Sequence, residues 1–246
     1  MLFLIWLVFC MGAIIAGFVQ GLTGFAFALI AMSFWIWVLP VQIAAPLVVF
    51  ASLWSHFISL SKEQKHTLPF SLVKPYLIAG LIGVPLGTLL LHYIDQNLFK
   101  MILGFFLMLW CPTIYFAPEL PHIQKMGNMA DSSIGFLGGI LGGLGGFCGA
   151  LPSAWVMLKQ LPKQQQRYVL RHFNFAIQFF TLLVYIVQGT INTNHLPYIL
   201  VLMMSVSLPA ILGAQLFYKI SEIQFKRIVL SLLFASGVFL SLSALI

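Results

Sequence analysis

Long uncharged segments, separated by short polar ones, set the pattern of the whole chain. Residues 1–61 and residues 172–218 contain no Asp, Glu, Lys or Arg. A helix needs about 20 apolar residues to cross a bilayer, so these segments have room for three helices and two helices. The pattern predicts helices near 2–19, 24–39, 43–60, 73–92, 98–117 and 228–246, two more within 172–218, and a Gly-rich stretch at 132–158.

The Gly-rich stretch is the least regular of these segments. Eight glycines fall among residues 135–149, and each one costs about 1 kcal/mol relative to Ala in a straight helix. The stretch is also too apolar for a solvated linker. Irregular backbone at membrane depth is buried in protein or lines a cavity, and broken helices of transporters bind substrate. The stretch therefore predicts a broken helix at a binding site, with tight helix packing as an equal alternative.

Composition assigns the chain to a broad class. Its 246 residues are 61% hydrophobic and 7% charged, with a mean hydropathy of +1.03, which excludes a soluble domain and predicts a polytopic membrane protein. Cys10, Cys111 and Cys148 show neither disulfide nor metal spacing. We expect no cofactor, no metal and no nucleic-acid partner. The apolar N-terminal run has no basic residues before it, so a cleaved signal peptide is not expected.

An internal repeat divides the chain into a first repeat at 1–120 and a second at 121–246. The two glycine breaks match at an offset of 122 residues, as do two Pro-containing motifs, and a later motif matches at 126. The matched positions are Gly17, Gly21, Gly24, Phe25, Ala28 and Leu29 with Gly139, Gly143, Gly146, Phe147, Ala150 and Leu151; 39–42 with 161–164; 75–76 with 197–198; and 99–100 with 225–226.

Basic residues predict the orientation in the membrane. If residues 1–39 and 132–158 each enter and return, the loops at 61–74, 118–131, 159–171 and 219–227 share one side and hold eleven of the twelve Lys and Arg residues. That side is the cytoplasm by the positive-inside rule, and both termini lie outside. A single crossing by 132–158 would put a basic cluster outside, which disfavours it.

The same orientation makes the repeats antiparallel. The predicted fold is an all-α polytopic membrane protein with two inverted-topology repeats of four or five helices each. Two arms of about 12 residues reach about 18 Å each, so Gly-rich broken helices or hairpins would meet near the midplane. The sequence does not distinguish full crossings from re-entrant hairpins at residues 1–39 and 132–158. The predicted number of helices is therefore eight to ten.

The motif at Gly142–Pro152, with the sequence after it at Leu161–Arg167, resembles the sulfite exporter TauE/SafE family. The resemblance covers the whole chain. It implies a proton-coupled secondary transporter, not an enzyme, that moves a small sulfur-containing or carboxylic anion across the cell membrane. The first repeat departs from the family pattern, because Gln20–Gly24 has fewer glycines and Ile30 stands where Pro152 stands in the second.

Backbone N–H groups at the two breaks are the expected donors for a small anion, because a helix N-terminus carries partial positive charge. Polar side chains at repeat-equivalent positions within spans add candidate contacts, with ordinary interhelical hydrogen bonding as the alternative. The candidate substrate-binding residues are Gln20, Gly21, Thr23, Gly24, Ser52, Gly143, Gly145, Gly146, Cys148, Asn174 and Gln178.

Acidic residues lie in loops or at the ends of predicted spans, which disfavours a cation transporter and a carboxylate proton relay. His56 is the candidate for proton coupling, since imidazole titrates near neutral pH. Arg171 and His172 are read as ordinary positive-inside residues or as attractors of anions to an inner vestibule. The oligomeric state stays open.

Two other functions fit parts of the pattern. A passive anion channel would use the same donors without coupling. An intramembrane hydrolase is the second alternative, because the motif Gly146-Phe-Cys148-Gly resembles the Gly-x-Ser-Gly of rhomboid proteases, with His56 or His172 as a base. Accumulation driven by an imposed pH gradient distinguishes a coupled transporter from a channel.

Overall fold

The computed structural model describes residues 2–60, 68–91, 93, 95–116, 127–191 and 195–245. In this part of the chain every regular element is helical: ten α-helices and one 3₁₀ turn at Phe70–Leu72. The α-helices are α1 (Leu2–Thr23), α2 (Phe27–Trp35), α3 (Val41–Leu60), α4 (Lys74–Leu90), α5 (Gln96–Phe116), α6 (Asn128–Gly143), α7 (Ala150–Leu158), α8 (Lys163–Val187), α9 (Leu196–Phe217) and α10 (Glu222–Ala244).

Four of the described helices are long and apolar enough to cross a membrane by length and composition: α1, α8, α9 and α10. Helices α3, α4 and α5 contain shorter apolar segments. Large apolar side chains such as Phe105, Met204 and Leu208 are exposed on the outer faces of their helices. Such a surface fits a lipid environment, so the chain is a multi-pass membrane protein.

The first glycine break forms a helical hairpin. Helix α2 has nine residues, about 14 Å, and it turns back along α1. The indole Nε1 of Trp35 at the end of α2 donates to the carbonyl oxygen of Phe9 at 2.9 Å. Because Phe9 lies in the first half of α1, residues 2–35 enter and leave at the same end of the molecule.

The second break forms a matching hairpin from α6 and α7. Lys159, just after α7, forms an ion pair of 2.8 Å with Asp131 in the first turn of α6. Trp155 of α7 donates its indole N–H to the same carboxylate at 2.8 Å. The start of α6 and the end of α7 therefore also lie at one end.

The first helix of each hairpin packs in parallel along a helix from the other half of the chain, α1 along α9 and α6 along α4. Glycine makes these approaches possible: a Cβ at Gly21 would overlap the backbone of Ala210, and a Cβ at Gly139 would overlap that of Gly80. Backbone against backbone at this distance leaves no room for a side chain. These glycines serve close helix packing.

Two helix pairs complete the core and run antiparallel. Helix α3 crosses α8, with Ser59 near the end of α3 bonded to Arg171 near the start of α8. Helix α5 packs along α10, where Gly104 lies against Ser241 and Gly237 lies against Leu107. Both pairs are formed by helices that occupy equivalent places in the sequence repeat.

The prediction of a basic loop at 159–171 is wrong for most of its length. Helix α8 begins at Lys163, and Arg167 and Arg171 are buried on it. Likewise α6 begins before Asp131 and α10 begins at Glu222. Helices therefore run past the apolar segments into polar sequence, and both arginines bury the guanidinium group together with the aliphatic stem. The predicted loop residues at 61–67 and 117–126 lie outside the described residues.

Candidate functional site

The tips of both hairpins meet at one small cavity between α3 and α8. Its volume is about 10 Å³, room for roughly one water molecule. Every lining residue is buried, and none is acidic. The lining residues are Gln20, Ala26, Phe27, Ala28, Leu29, Ser52, Gly146, Phe147, Gly149, Ala150, Asn174 and Gln178.

Gln20 organises the wall from the first half of the chain. Its Nε2 donates to the carbonyl oxygen of Ser52 at 2.6 Å. Its Oε1 accepts the Ser52 hydroxyl at 3.0 Å and the backbone N–H of Phe27 at 3.2 Å. The end of α1, the start of α2 and the middle of α3 are thus joined through one amide.

Gln178 and Asn174 of α8 form the wall from the second half. Gln178 Nε2 donates to the carbonyl oxygen of Gly146 at 3.0 Å. Asn174 Nδ2 donates to the carbonyl oxygen of Leu170 at 2.6 Å, and its Oδ1 accepts the thiol of Cys148 at 2.9 Å. Cys148 is fully buried behind the cavity lining. Its Sγ lies 2.9 Å from Asn174 Oδ1 and 3.7 Å from the carbonyl oxygen of Gly146, and no histidine is among its hydrogen-bond partners in the described part of the chain.

The two breaks share one glycine conformation. Gly24 has φ of +81° and Gly146 has φ of +83°, a conformation that glycine adopts without steric cost. Gly145 and Ala26 also have positive φ. These turns reverse the chain so that the N-termini of α2 and α7 both line the cavity. The first N–H of each helix is already bonded, that of Phe27 to Gln20 Oε1 and that of Ala150 to the carbonyl oxygen of Phe147.

Several predicted site residues lie beside the cavity without lining it. Gly21 and Gly143 pack on the backbones of α9 and α4. The Thr23 hydroxyl lies 2.8 Å from the carbonyl oxygen of Val19 and accepts a hydrogen bond from the N–H of Phe25. These two contacts stabilise the C-terminal end of α1. Gly24 lies against Arg167 and Arg171, and Gly145 lies against Phe147. In both repeats two glycines are spaced four residues apart on one helix face, Gly17 with Gly21 and Gly139 with Gly143. This spacing is typical of glycines that pack against a neighbouring helix.

His56 lies one turn beyond Ser52 on α3 and away from the cavity lining. It is 1% exposed, and neither ring nitrogen has a hydrogen-bond partner among the described residues. Its ring meets Phe175 edge-on. Arg171, His172 and Arg167 are close enough to act on it electrostatically.

Two arginines lie beneath the tip of α1: Arg167, which was not singled out from the sequence, and Arg171, which was read as an ordinary positive-inside residue or as an attractor of anions. Arg167 Nη2 donates to the carbonyl oxygen of Gly21 at 2.7 Å, and its guanidinium lies over the ring of Phe217. Arg171 Nη2 donates to the Ser59 hydroxyl at 3.2 Å. Their spacing of four residues on a helix was the available signal, because it places both on one face.

These features describe a polytopic helical membrane protein with a polar, uncharged cavity where two broken helices meet. The model of one protein family, sulfite exporter TauE/SafE, matches residues 9–240. The chain belongs to this family, which is a family of transporters. Comparison with curated proteins and comparison with solved structures gave no match.

Proposed function

We propose that this protein is a secondary transporter that moves a small anion, such as sulfite, thiosulfate, a sulfonate or a small carboxylate, across the cell membrane. The observation that carries the proposal is the convergence of the α2 and α7 N-termini on one cavity with amide side chains and no acidic lining residue. Helix N-termini carry partial positive charge and attract an anion without the desolvation cost of a fixed positive charge.

The proposed architecture is a pair of inverted repeats at 1–120 and 121–246. The starts of α3 and α4 recur in α8 and α9 at an offset of 122 residues, and the start of α5 recurs in α10 at 126. The contacts of α1 with α9 correspond to those of α6 with α4. The antiparallel pairs α3–α8 and α5–α10 support an axis in the membrane plane.

The proposed mechanism is alternating access around the cavity. A volume of about 10 Å³ is too small for an anion of four or more heavy atoms. This conformation therefore corresponds to a closed state, and one hairpin must move to admit substrate. A cavity of this size, lined by buried residues, favours a carrier over a continuous open pore.

Proton coupling through His56 completes the proposal. His56 lies one turn from the cavity residue Ser52, and the guanidinium groups of Arg171 and Arg167 are close enough to act on it electrostatically. A proton on His56 and an anion in the cavity would attract each other across a low-dielectric interior. Binding of one would then favour binding of the other.

Purified protein in liposomes tests the function. We expect sulfite, thiosulfate or a small sulfonate to raise the melting temperature, since a ligand at 100 times its Kd adds about 2.7 kcal/mol. A pH gradient across the liposome membrane should then drive accumulation of the stabilising anion. Stabilisation without accumulation would indicate a channel, and neither effect with any small anion would contradict the proposal.

A further inference from the structure

The side-chain oxygen of Gln178 is the unusual atom of the cavity. Its amide orientation is fixed, because the Gly146 carbonyl can only accept and Gln178 Nε2 donates to it at 3.0 Å. The Oε1 atom of Gln178 therefore points away from the Gly146 carbonyl and is available to accept a hydrogen bond. It has no hydrogen-bond partner among the described residues, although the side chain is 2% exposed.

The other amide oxygens of the cavity accept hydrogen bonds. Gln20 Oε1 accepts from Ser52 Oγ and from Phe27 N. Asn174 Oδ1 accepts the single thiol proton of Cys148. A buried acceptor without a donor is costly, so Gln178 Oε1 marks a position where a bound molecule supplies one.

We propose that the anion bound in this cavity carries its own O–H or N–H group, which it donates to Gln178 Oε1 while its charge faces the N-termini of α2 and α7. This inference rests on the proposed function and specifies its substrate class. A fully deprotonated oxyanion would set a lone pair against Oε1 and leave both acceptors unsatisfied. An anion with an O–H or N–H group can donate to Gln178 Oε1 and direct its negative charge at the two helix N-termini in the same orientation.

Two pairs of matched monoanions test the proposal at neutral pH. Glycolate and propionate have equal numbers of heavy atoms, as do 2-hydroxyethanesulfonate and 1-propanesulfonate, and only the first of each pair has a hydroxyl. Affinities are measured from the concentration dependence of thermal stabilisation of the purified full chain. For whichever headgroup binds, we expect the hydroxylated anion to bind about tenfold more tightly.

Gln178→Met links that preference to one atom, because methionine keeps the length of the side chain and removes the amide oxygen. We expect the affinity ratio within a pair to fall to near one, whatever happens to the absolute affinities. Thr181→Val is the matched control, since Thr181 is equally buried one turn along α8 and does not line the cavity. It should keep the tenfold ratio.

The outcomes separate this inference from the function beneath it. Equal affinities within each pair for the unmodified protein would overturn the inference and leave anion transport standing. A tenfold ratio that persists in folded Gln178→Met would also overturn it. Should that variant not fold, the ratio in the unmodified protein decides. Failure of all four anions and of sulfite to bind would overturn the proposed function, and the inference with it.

Discussion

Single residues at the hairpin tips hold the site together by backbone geometry more than by side-chain chemistry. Gly24 and Gly146 reverse the chain with nearly equal φ of +81° and +83°. A Cβ at Gly146 would lie 3.0 Å from Val48 Cγ1 and 3.4 Å from Gln178 Nε2. Any side chain there is both strained and directed at a cavity-lining group.

Replacing Gly146 by Val should therefore weaken anion binding at least tenfold, about 1.4 kcal/mol, since a β-branched residue does not tolerate this φ. Titration of the folded fraction after size exclusion measures the effect. Gly127→Val is the neutral control, because nothing lies within 4 Å of its Cβ position. Gly138 is unsuitable as a control, since it packs on Cys148 and Pro152. Unchanged affinity in Gly146→Val would contradict the role of the break.

The His56→Gln variant tests whether this single residue couples proton movement to anion transport. Glutamine occupies the equivalent position 178 in the second repeat, so the substitution suits a buried polar environment. We expect exchange of labelled anion between the two sides to continue, while accumulation driven by a pH gradient falls at least tenfold. Paired exchange and gradient assays in liposomes measure the two quantities. Accumulation at the original level would assign the coupling to another group.

At the scale of helices, the hairpins are stabilised by glycine contacts with α4 and α9. A Cβ at Gly87 would overlap the carbonyl of Ile140, and a Cβ at Gly213 would overlap that of Phe18. Gly87 lies on α4 against α6, and Gly213 lies on α9 against α1, so the two contacts occupy equivalent places in the two halves.

Substituting Ala at either Gly87 or Gly213 should lower the free energy of unfolding by about 1–3 kcal/mol, because overpacking forces the helices apart. The two losses should be similar if the halves are equivalent. Thermal unfolding in detergent measures them, with Gly127→Ala as the control. A loss in one variant alone would indicate that the two helix pairs pack differently.

The carboxylate of Asp131 connects three helices at the open end of the second hairpin. It accepts from Tyr76 of α4 at 2.7 Å, from Trp155 of α7 and from Lys159. The equivalent place in the first half is apolar: Phe9 contacts the rings of Trp35 and Tyr198. The two hairpin mouths are therefore closed by different chemistry.

Replacing Asp131 by Ala should cost about 3 kcal/mol of stability, because it leaves Lys159 and two other donors without their acceptor. Tyr76→Phe removes one hydrogen bond and should cost about 1 kcal/mol. Glu222→Ala, at an exposed acid, provides the comparison. Thermal unfolding measures all three, and a loss below 1 kcal/mol in Asp131→Ala would show that the cluster is not stabilising.

The sequence predicts the helices and the two breaks better than it predicts which residues line the cavity. Uncharged segments and glycine runs predict the helices and the two breaks, because they reflect local physics and a strong repeat. The role of a particular residue depends on which neighbours it packs against, and the sequence does not give these neighbours. Gly21 and Gly146 look alike in sequence, yet one packs on Ala210 and the other lines the cavity. The burial of Arg167 and Arg171 could not be predicted either, since a basic cluster after an apolar segment is typical of an exposed loop.

At the scale of the whole molecule, the side of the membrane on which each helix end lies decides whether the two repeats are inverted. The charge pattern places Tyr93 and Val187 outside and Met129 and Ile223 in the cytoplasm. All four side chains are exposed in the structure, so each can carry a reporter cysteine without disturbing the core.

Single cysteines at these positions, with Cys10 and Cys111 replaced by Ser and the buried Cys148 kept, test this orientation in right-side-out vesicles. An impermeant thiol reagent should label Tyr93→Cys and Val187→Cys directly. Met129→Cys and Ile223→Cys should react only after permeabilisation. The hairpin of α6 and α7 decides the result, because it returns the chain to the side that it left. If that segment crossed the bilayer once, Val187 and Ile223 would exchange sides while Tyr93 and Met129 kept theirs. That exchange would make the two repeats parallel, and the cavity could no longer be the centre of an inverted pair.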